Sequence, residues 1–167
     1  YVCNTTAGMK NLPVWHHFSR GSTVYYDDAG NPAAEPHLAQ GSDSTVWGST
    51  APYSVALHTN SVKFSYAVDP TATYKINITY FRPDIMGEER TMRANVNGVA
   101  LHGDLLLPTA PTTYSFDAPA GSYANGTLLL SLERVLGNNA VVSEVWVYAA
   151  SPQSVDPSVV DTFDGSL

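Results

Sequence analysis

The chain has 167 residues, enough for one domain with a substantial core, and a formal net charge of −7. Only eight residues are Lys or Arg and they form no run, which argues against nucleic acid and anionic membrane surfaces as partners. Charged residues make up 14% of the chain, against about 25% in an average globular protein, while tyrosine occurs ten times; helical surfaces need Glu, Lys and Arg, so this balance argues against a helical protein.

No apolar run approaches the ~18 residues of a membrane-spanning helix, and no secretory leader pattern is present. The chain begins at Tyr1 without a Met, so it is expected to be a processed or excised piece. The single cysteine, Cys3, cannot form an intrachain disulfide. Asn4-Thr5-Thr6, Asn77-Ile78-Thr79 and Asn125-Gly126-Thr127 fit the N-glycosylation pattern.

The first sixty residues read as irregular. Ser22 to Tyr26 and Thr45 to Trp47 are candidate strands, and the remainder is expected to be loop. Period-two alternation takes over at Ser61, with Val62, Phe64, Tyr66 and Val68 on one face and Ser61, Lys63, Ser65 and Ala67 on the other. Tyr74, Ile76, Ile78 and Tyr80 alternate in the same way with Lys75, Asn77 and Thr79. Met92, Ala94 and Val96 share a face in Thr91 to Val96, and Asn97-Gly98 then predicts a two-residue hairpin turn into Val99 to Leu101. Further strands are expected around Tyr114 and Phe116, over Leu128 to Leu132, and over Val141 to Tyr148. Short strands at this spacing predict an all-β protein, a sandwich or a barrel. Ser151 to Leu167, rich in Ser, Pro and Asp, reads as a linker or disordered end leading to another module. The expected division is therefore a module over 1–150 and a linker over 151–167.

Two segments resemble galactose-binding-like domains, including the discoidin-type carbohydrate-binding modules appended to glycoside hydrolases. One is Ala29-Gly30-Asn31-Pro32 with Gly41-Ser42-Asp43-Ser44-Thr45-Val46-Trp47-Gly48-Ser49, and the other is Asn138 to Tyr148, which is similar to their last strand. Gln40 stands where the family has the first Asp of its motif, and Ser42 lies between Gly41 and Asp43. The resemblance implies an antiparallel jelly-roll β-sandwich, a sugar site on loops at one end, a structural Ca²⁺, and a burial role for Trp47. It also implies a covalently linked catalytic domain, while secretion is expected from the composition.

Sugars present flat C–H faces ringed by hydroxyls, so recognition combines aromatic platforms with planar hydrogen-bonding groups. Trp15, Tyr26, Arg82, Glu88, Arg90 and Asn138 supply these groups from segments expected to be irregular. Five of the six have a plainer alternative: core packing for Trp15, a self-paired polar loop for Arg82, Glu88 and Arg90, and a turn for Gly137-Asn138. For Ca²⁺, which takes six to eight oxygens, Asp43 is a candidate from its loop-like surroundings and Glu144 from its match to the family's last strand. Asp27 and Asp28 are further candidates.

The residues do not favour catalysis. There is no GxSxG elbow, no HExxH and no phosphate-cradling glycine loop. His16 and His17 are adjacent and on a strand would point to opposite faces. Glu88 and Glu89 are adjacent on one loop, whereas glycoside hydrolysis needs two carboxylates across a cleft. The expected function is a non-catalytic carbohydrate-binding module that brings an attached enzyme to polysaccharide or oligosaccharide. A ligand-free spacer of the same fold and a small glycan-active lyase or esterase are the alternatives.

Overall fold

The computed structural model describes residues 21–47, 52–82 and 89–150. These residues form β1 (Gly21–Asp28), β2 (Leu38–Gln40), β3 (Ser42–Trp47), β4 (Pro52–His58), β5 (Ser61–Ala67), β6 (Thr73–Tyr80), β7 (Thr91–Val96), β8 (Val99–Leu106), β9 (Thr112–Asp117), β10 (Thr127–Leu136), β11 (Ala140–Val142) and β12 (Glu144–Ala150). Among the described residues there is no helix, as the shortage of Glu, Lys and Arg led us to expect.

All pairings are antiparallel. One sheet has the order β1-β12-β6-β9, a second β2-β5-β10-β7-β8, and a three-stranded sheet β11-β4-β3 adjoins them. The core is built from the inward sets of the alternating strands: Val62, Phe64 and Tyr66; Tyr74, Ile76, Ile78 and Tyr80; Met92, Ala94 and Val96; Leu128, Leu130 and Leu132; Val145 and Val147. Fully burying one such side chain contributes about 1.5–3 kcal/mol, which is what holds the layers of the all-β sandwich together.

Asn97 and Gly98 adopt φ of 49° and 83°, the left-handed pair that the hairpin required. Asn97 also ties the hairpin to its neighbours, its Nδ2 donating to Ser122 O at 2.8 Å and to Thr127 O at 2.6 Å.

Two expectations are corrected. The first sixty residues hold β2 and β4 as well as the two expected strands. β4 starts at Pro52 and buries Val55 and Ala56 in succession, so it shows no clean alternation. The strand expected over Val141 to Tyr148 is interrupted at Ser143, so that β11 pairs with β4 while β12 pairs with β1 and β6. Ser143 holds the junction: its N–H donates to Thr79 O, its carbonyl accepts from Ala29 N–H, and its Oγ donates to Ser54 O. The segment 151–167 lies outside the described residues.

Candidate functional site

The register of the four-stranded sheet decides which polar residues meet. Tyr26 on β1 stands opposite Trp146 on β12, and Asp28 opposite Glu144. Across the other side of β12, Trp146 faces Asn77 and Glu144 faces Thr79 on β6. Because neighbours along a strand alternate, all six side chains lie on the face away from Ile76, Ile78, Val145 and Val147, which belong to the core.

This second face is dry. Asn77 is 0% exposed, Thr79 and Glu144 are each 1% exposed and Trp146 is 4% exposed, while Tyr26 is half-buried. The Tyr26 and Trp146 rings lie 5.1 Å apart with planes tilted by 34°. Tyr26 donates to Glu144 Oε1 at 3.3 Å. Glu144 Oε2 and both side-chain atoms of Asn77 have no hydrogen-bond partner. Burial, with Asp28 adding to it, pushes the Glu144 carboxyl up to about 8, although the Thr79 and Tyr26 hydroxyls pull the other way. Glu144 is therefore largely a neutral acid at pH 7. Burial, followed by the charges of Glu144 and Asp28, raises the Tyr26 hydroxyl well above its ordinary range.

At the end of this face the chain turns through a tightly bonded loop. Ser54 Oγ donates to Asp28 Oδ1 at 2.8 Å, Asn31 Nδ2 to Asp28 Oδ2 at 3.0 Å, and Gly30 N–H to Glu35 Oε2 at 2.8 Å. Gly30 has φ of +87°, and a Cβ there would lie 2.3 Å from the Val55 backbone; only glycine fits. Burial first, and a hydrogen bond to Asp43 second, push Glu35 up to about 7 against the pull of the Gly30 N–H. Asp27 points the opposite way from Asp28 and is committed to His37 and to the Tyr66 hydroxyl, at 3.0–3.1 Å.

The structure thus brings Tyr26 and Glu144 together. It places the two expected calcium ligands in different networks, with Asp43 meeting Glu35 and Glu144 meeting Tyr26. Among the described residues no group of three or more His, Cys, Asp or Glu is arranged to hold a metal ion. Arg90 is 4% exposed, and its Nη1 donates to Asn139 O at 3.1 Å, which joins it to the loop that carries Asn138. Arg82 donates its backbone N–H to Pro108 O at 2.7 Å, and its Nε is buried without a partner. Trp15 and Glu88 lie outside the described residues, as does the side chain of Trp47.

Asn77, Thr79 and Trp146 were not among the residues expected to bind sugar or metal. Their parity with Glu144 was legible, but their burial was not, because Asn77 and Thr79 read as the wet positions of their strand. Of the glycosylation sequons, the one at Asn77 is buried, whereas Asn125 is exposed in a turn where its Oδ1 accepts from Thr127 N–H at 3.1 Å.

No protein-family model and no curated protein matches the chain. Solved structures do. The chain is similar to the ANXUR1 extracellular domain from Arabidopsis thaliana, with a TM-score of 0.61 and 7% identity, over 78% of this chain and 49% of that one. It is similar to the ANX2 ectodomain from Arabidopsis thaliana, with a TM-score of 0.59 and 9% identity, over 78% of this chain and 50% of that one. It is also similar to plant FER in its complex with the peptide RALF23 and LLG2, with a TM-score of 0.58 and 12% identity, over 78% of this chain and 49% of that one. At these identities the likeness is one of fold, and the chain spans about half the length of the structures it matches. The resemblance to discoidin-type modules of glycoside hydrolases is corrected by these matches. The neighbours are extracellular parts of plant receptor-like kinases, and they give no support to a linked catalytic domain. Of the motifs that carried the resemblance, Gly30 turns the loop after β1 and Glu144 opens β12.

Proposed function

We propose that this chain is a non-catalytic binding module of an extracellular protein and that its ligand is carbohydrate. The observation that carries the reading is the face of Tyr26, Trp146, Asn77 and Glu144, where an aromatic pair stands beside buried polar atoms with no partner. Tyr26 is half-buried, and a ligand meets the other three, which are at most 4% exposed, only once this face is uncovered. Buried polar atoms without a partner are rare in folded proteins because each costs about 1–3 kcal/mol. A sugar hydroxyl both donates and accepts, so it complements the neutral Glu144 carboxyl and the Asn77 carboxamide, while the rings suit the C–H face. In a sheltered site each of these bonds is stronger than in water. The non-catalytic reading is supported by the commitment of the neighbouring acids: Asp28 is held by Ser54 and Asn31, and Asp27 by His37 and Tyr66. The extracellular setting is supported by the fold neighbours.

A glycan array tests the reading, followed by calorimetry with the best-bound oligosaccharide on the parent and on the Trp146→Ala and Asn77→Leu variants. Binding by the parent and at least tenfold weakening in both variants is expected; no glycan bound, or undiminished affinity in both variants, overturns it. A second reading, recognition of a peptide, is favoured by one observation, the RALF23 complex of the similar FER structure. Binding of peptides but no glycans would establish it instead.

A further inference from the structure

The opposite side of the molecule carries a cavity that none of the residues above touches. On the five-stranded sheet an open trough of about 460 Å³ is lined by Arg93, Asn95, Glu133, Asp104, Ala100 and Gly103, among others. That volume falls within the range of about 300–1,000 Å³ typical of small-molecule sites. The trough follows from the sequence of β8. Across from Asn95, β8 offers only Ala100, and it adds the side-chain-free Gly103 to the same wall. The pairing of β7 with β8 also shifts register between Met92 and Ala94 and again between Ala94 and Asn95, which opens the strands locally.

The rim is chemically ordered. Arg93 Nε lies 3.1 Å from Asp104 Oδ1, and both side chains are about half exposed, at 51% and 55%. Asn95 Nδ2 donates to Glu133 Oε1 at 2.7 Å. The rim therefore carries two pairs of a planar donor and a planar acceptor. His102 closes one end; its Nε2 pairs with the Tyr80 hydroxyl at 2.9 Å and its ring stacks on Phe116 at 4.7 Å. Burial holds the His102 imidazole below its ordinary range and so neutral at pH 7.

We propose that this trough is a second saccharide subsite, in which Arg93, Asn95, Asp104 and Glu133 take the vicinal hydroxyls of a neutral sugar. Two carboxylates against the single guanidinium of Arg93 leave the rim net negative, which disfavours anionic sugars, while the hydrogen bond from Asn95 occupies one oxygen of Glu133 and leaves the rest of that carboxylate to accept from hydroxyls. Vicinal hydroxyls, each a donor and an acceptor, match a rim that offers both donors and acceptors. The proposal rests on the carbohydrate reading of the module but uses separate residues on a separate sheet.

The test is a nuclear magnetic resonance titration of the ¹⁵N-labelled chain with cello-, xylo-, manno- and galactotetraose, and with arginine methyl ester, at millimolar concentration. At least one tetraose is expected to shift the amides of Ala100 and Gly103 and the side-chain signals of Arg93 and Asn95. A Cβ at Gly103 would meet no atom within 4 Å, so Gly103→Leu adds bulk at the trough wall with the fold intact. Gly103→Leu and Arg93→Ala, each with an unchanged circular dichroism spectrum, should weaken the tetraose at least fivefold. Shifts confined to Tyr26, Asn77 and Trp146 overturn the second subsite while the carbohydrate reading stands. No shift anywhere with any sugar overturns both. Shifts at the trough caused by arginine methyl ester but by no sugar overturn the sugar assignment and show a site for cationic side chains.

Discussion

The outer faces of the two large sheets come from the same period-two alternation and end in opposite states. On the five-stranded sheet Arg93, Asp104, Asn95 and Glu133 stand in or near solvent, and each has a partner. On the four-stranded sheet Asn77, Thr79 and Glu144 are sealed from water, and the amide of Asn77 and one oxygen of Glu144 bond to nothing. Polar groups that pair in water contribute little either way, whereas unpaired polar groups in a dry site cost stability. A chain that keeps such groups departs from the rule that buried polar atoms are satisfied, and departures of that kind concentrate where proteins bind.

Two glycines with nearly the same φ should separate the two faces most strongly. Gly30, beside the dry face, has φ of +87°, and Gly98, at the tip of the wet hairpin, has φ of +83°. A Cβ at Gly30 would lie 2.3 Å from the Val55 backbone, while at Gly98 it would meet nothing within 4 Å. Gly98→Ala should therefore cost only the left-handed penalty of about 1–2 kcal/mol. Gly30→Ala adds a backbone collision and should cost more than about 4 kcal/mol or prevent folding. Urea denaturation of both variants checks this, and equal losses would show that the loop at Gly30 is not packed as described.

The next effects concern the dry face itself. Asn77→Leu replaces an unpartnered amide by an apolar side chain of similar size and should stabilise the ligand-free protein by about 1–3 kcal/mol. A loss of stability, measured in the same urea series, would mean that the amide has partners after all. Glu144 should reveal itself through pH. Its folded value of about 8 lies above the ordinary 4.5, so the folded state binds this proton more tightly than the unfolded chain does. The contribution is full below pH 4.5, falls as pH rises, and is lost above about pH 8. The Glu144→Gln variant should therefore show a flatter fall in stability over that window. A residual slope should end near pH 7, because Glu35 is raised to about 7 in the same sense. Parallel curves for parent and variant would show that Glu144 is not held as a neutral acid.

Much of the sandwich was legible because its core strands obey one rule. Val62 to Tyr66, Tyr74 to Tyr80 and Leu128 to Leu132 alternate cleanly, and each buries the set that alternation assigns. β4 was not legible, since Val55 and Ala56 are buried in succession. The candidate site was half legible. Tyr26 and Glu144 were picked for different purposes, one for sugar and one for calcium, and the register of β1 against β12 then joined them. No local pattern could have shown that Asn77 is buried, because burial of a second sheet face is a tertiary property. Arg90 illustrates the converse: it reads as a polar loop residue, yet it is 4% exposed and bonded to the backbone of Asn139.

The smallest expected effects lie on the solvent-facing ion pairs, and their smallness is itself informative. Lys75 Nζ and Asp117 Oδ1 are 2.6 Å apart on the four-stranded sheet, and Arg93 Nε and Asp104 Oδ1 are 3.1 Å apart on the five-stranded one. Short distances suggest strong bonds, but Asp117 is 85% exposed and Asp104 55% exposed, so water and salt screen both pairs. Exposed pairs contribute about 0.2–1 kcal/mol, which for a domain of this size moves the melting temperature by no more than about 2–4 °C. Asp117→Asn and Asp104→Asn should both stay within that limit, and the difference should vanish in 1 M salt, where charges are screened beyond about 3 Å. A larger loss for Asp104→Asn that persists in high salt would mean that the trough holds its rim groups in a less watery setting than their exposure indicates. The contrast between a wet and a dry face would then be one of degree, with the Arg93–Asp104 pair nearer in character to Glu144 than to Lys75.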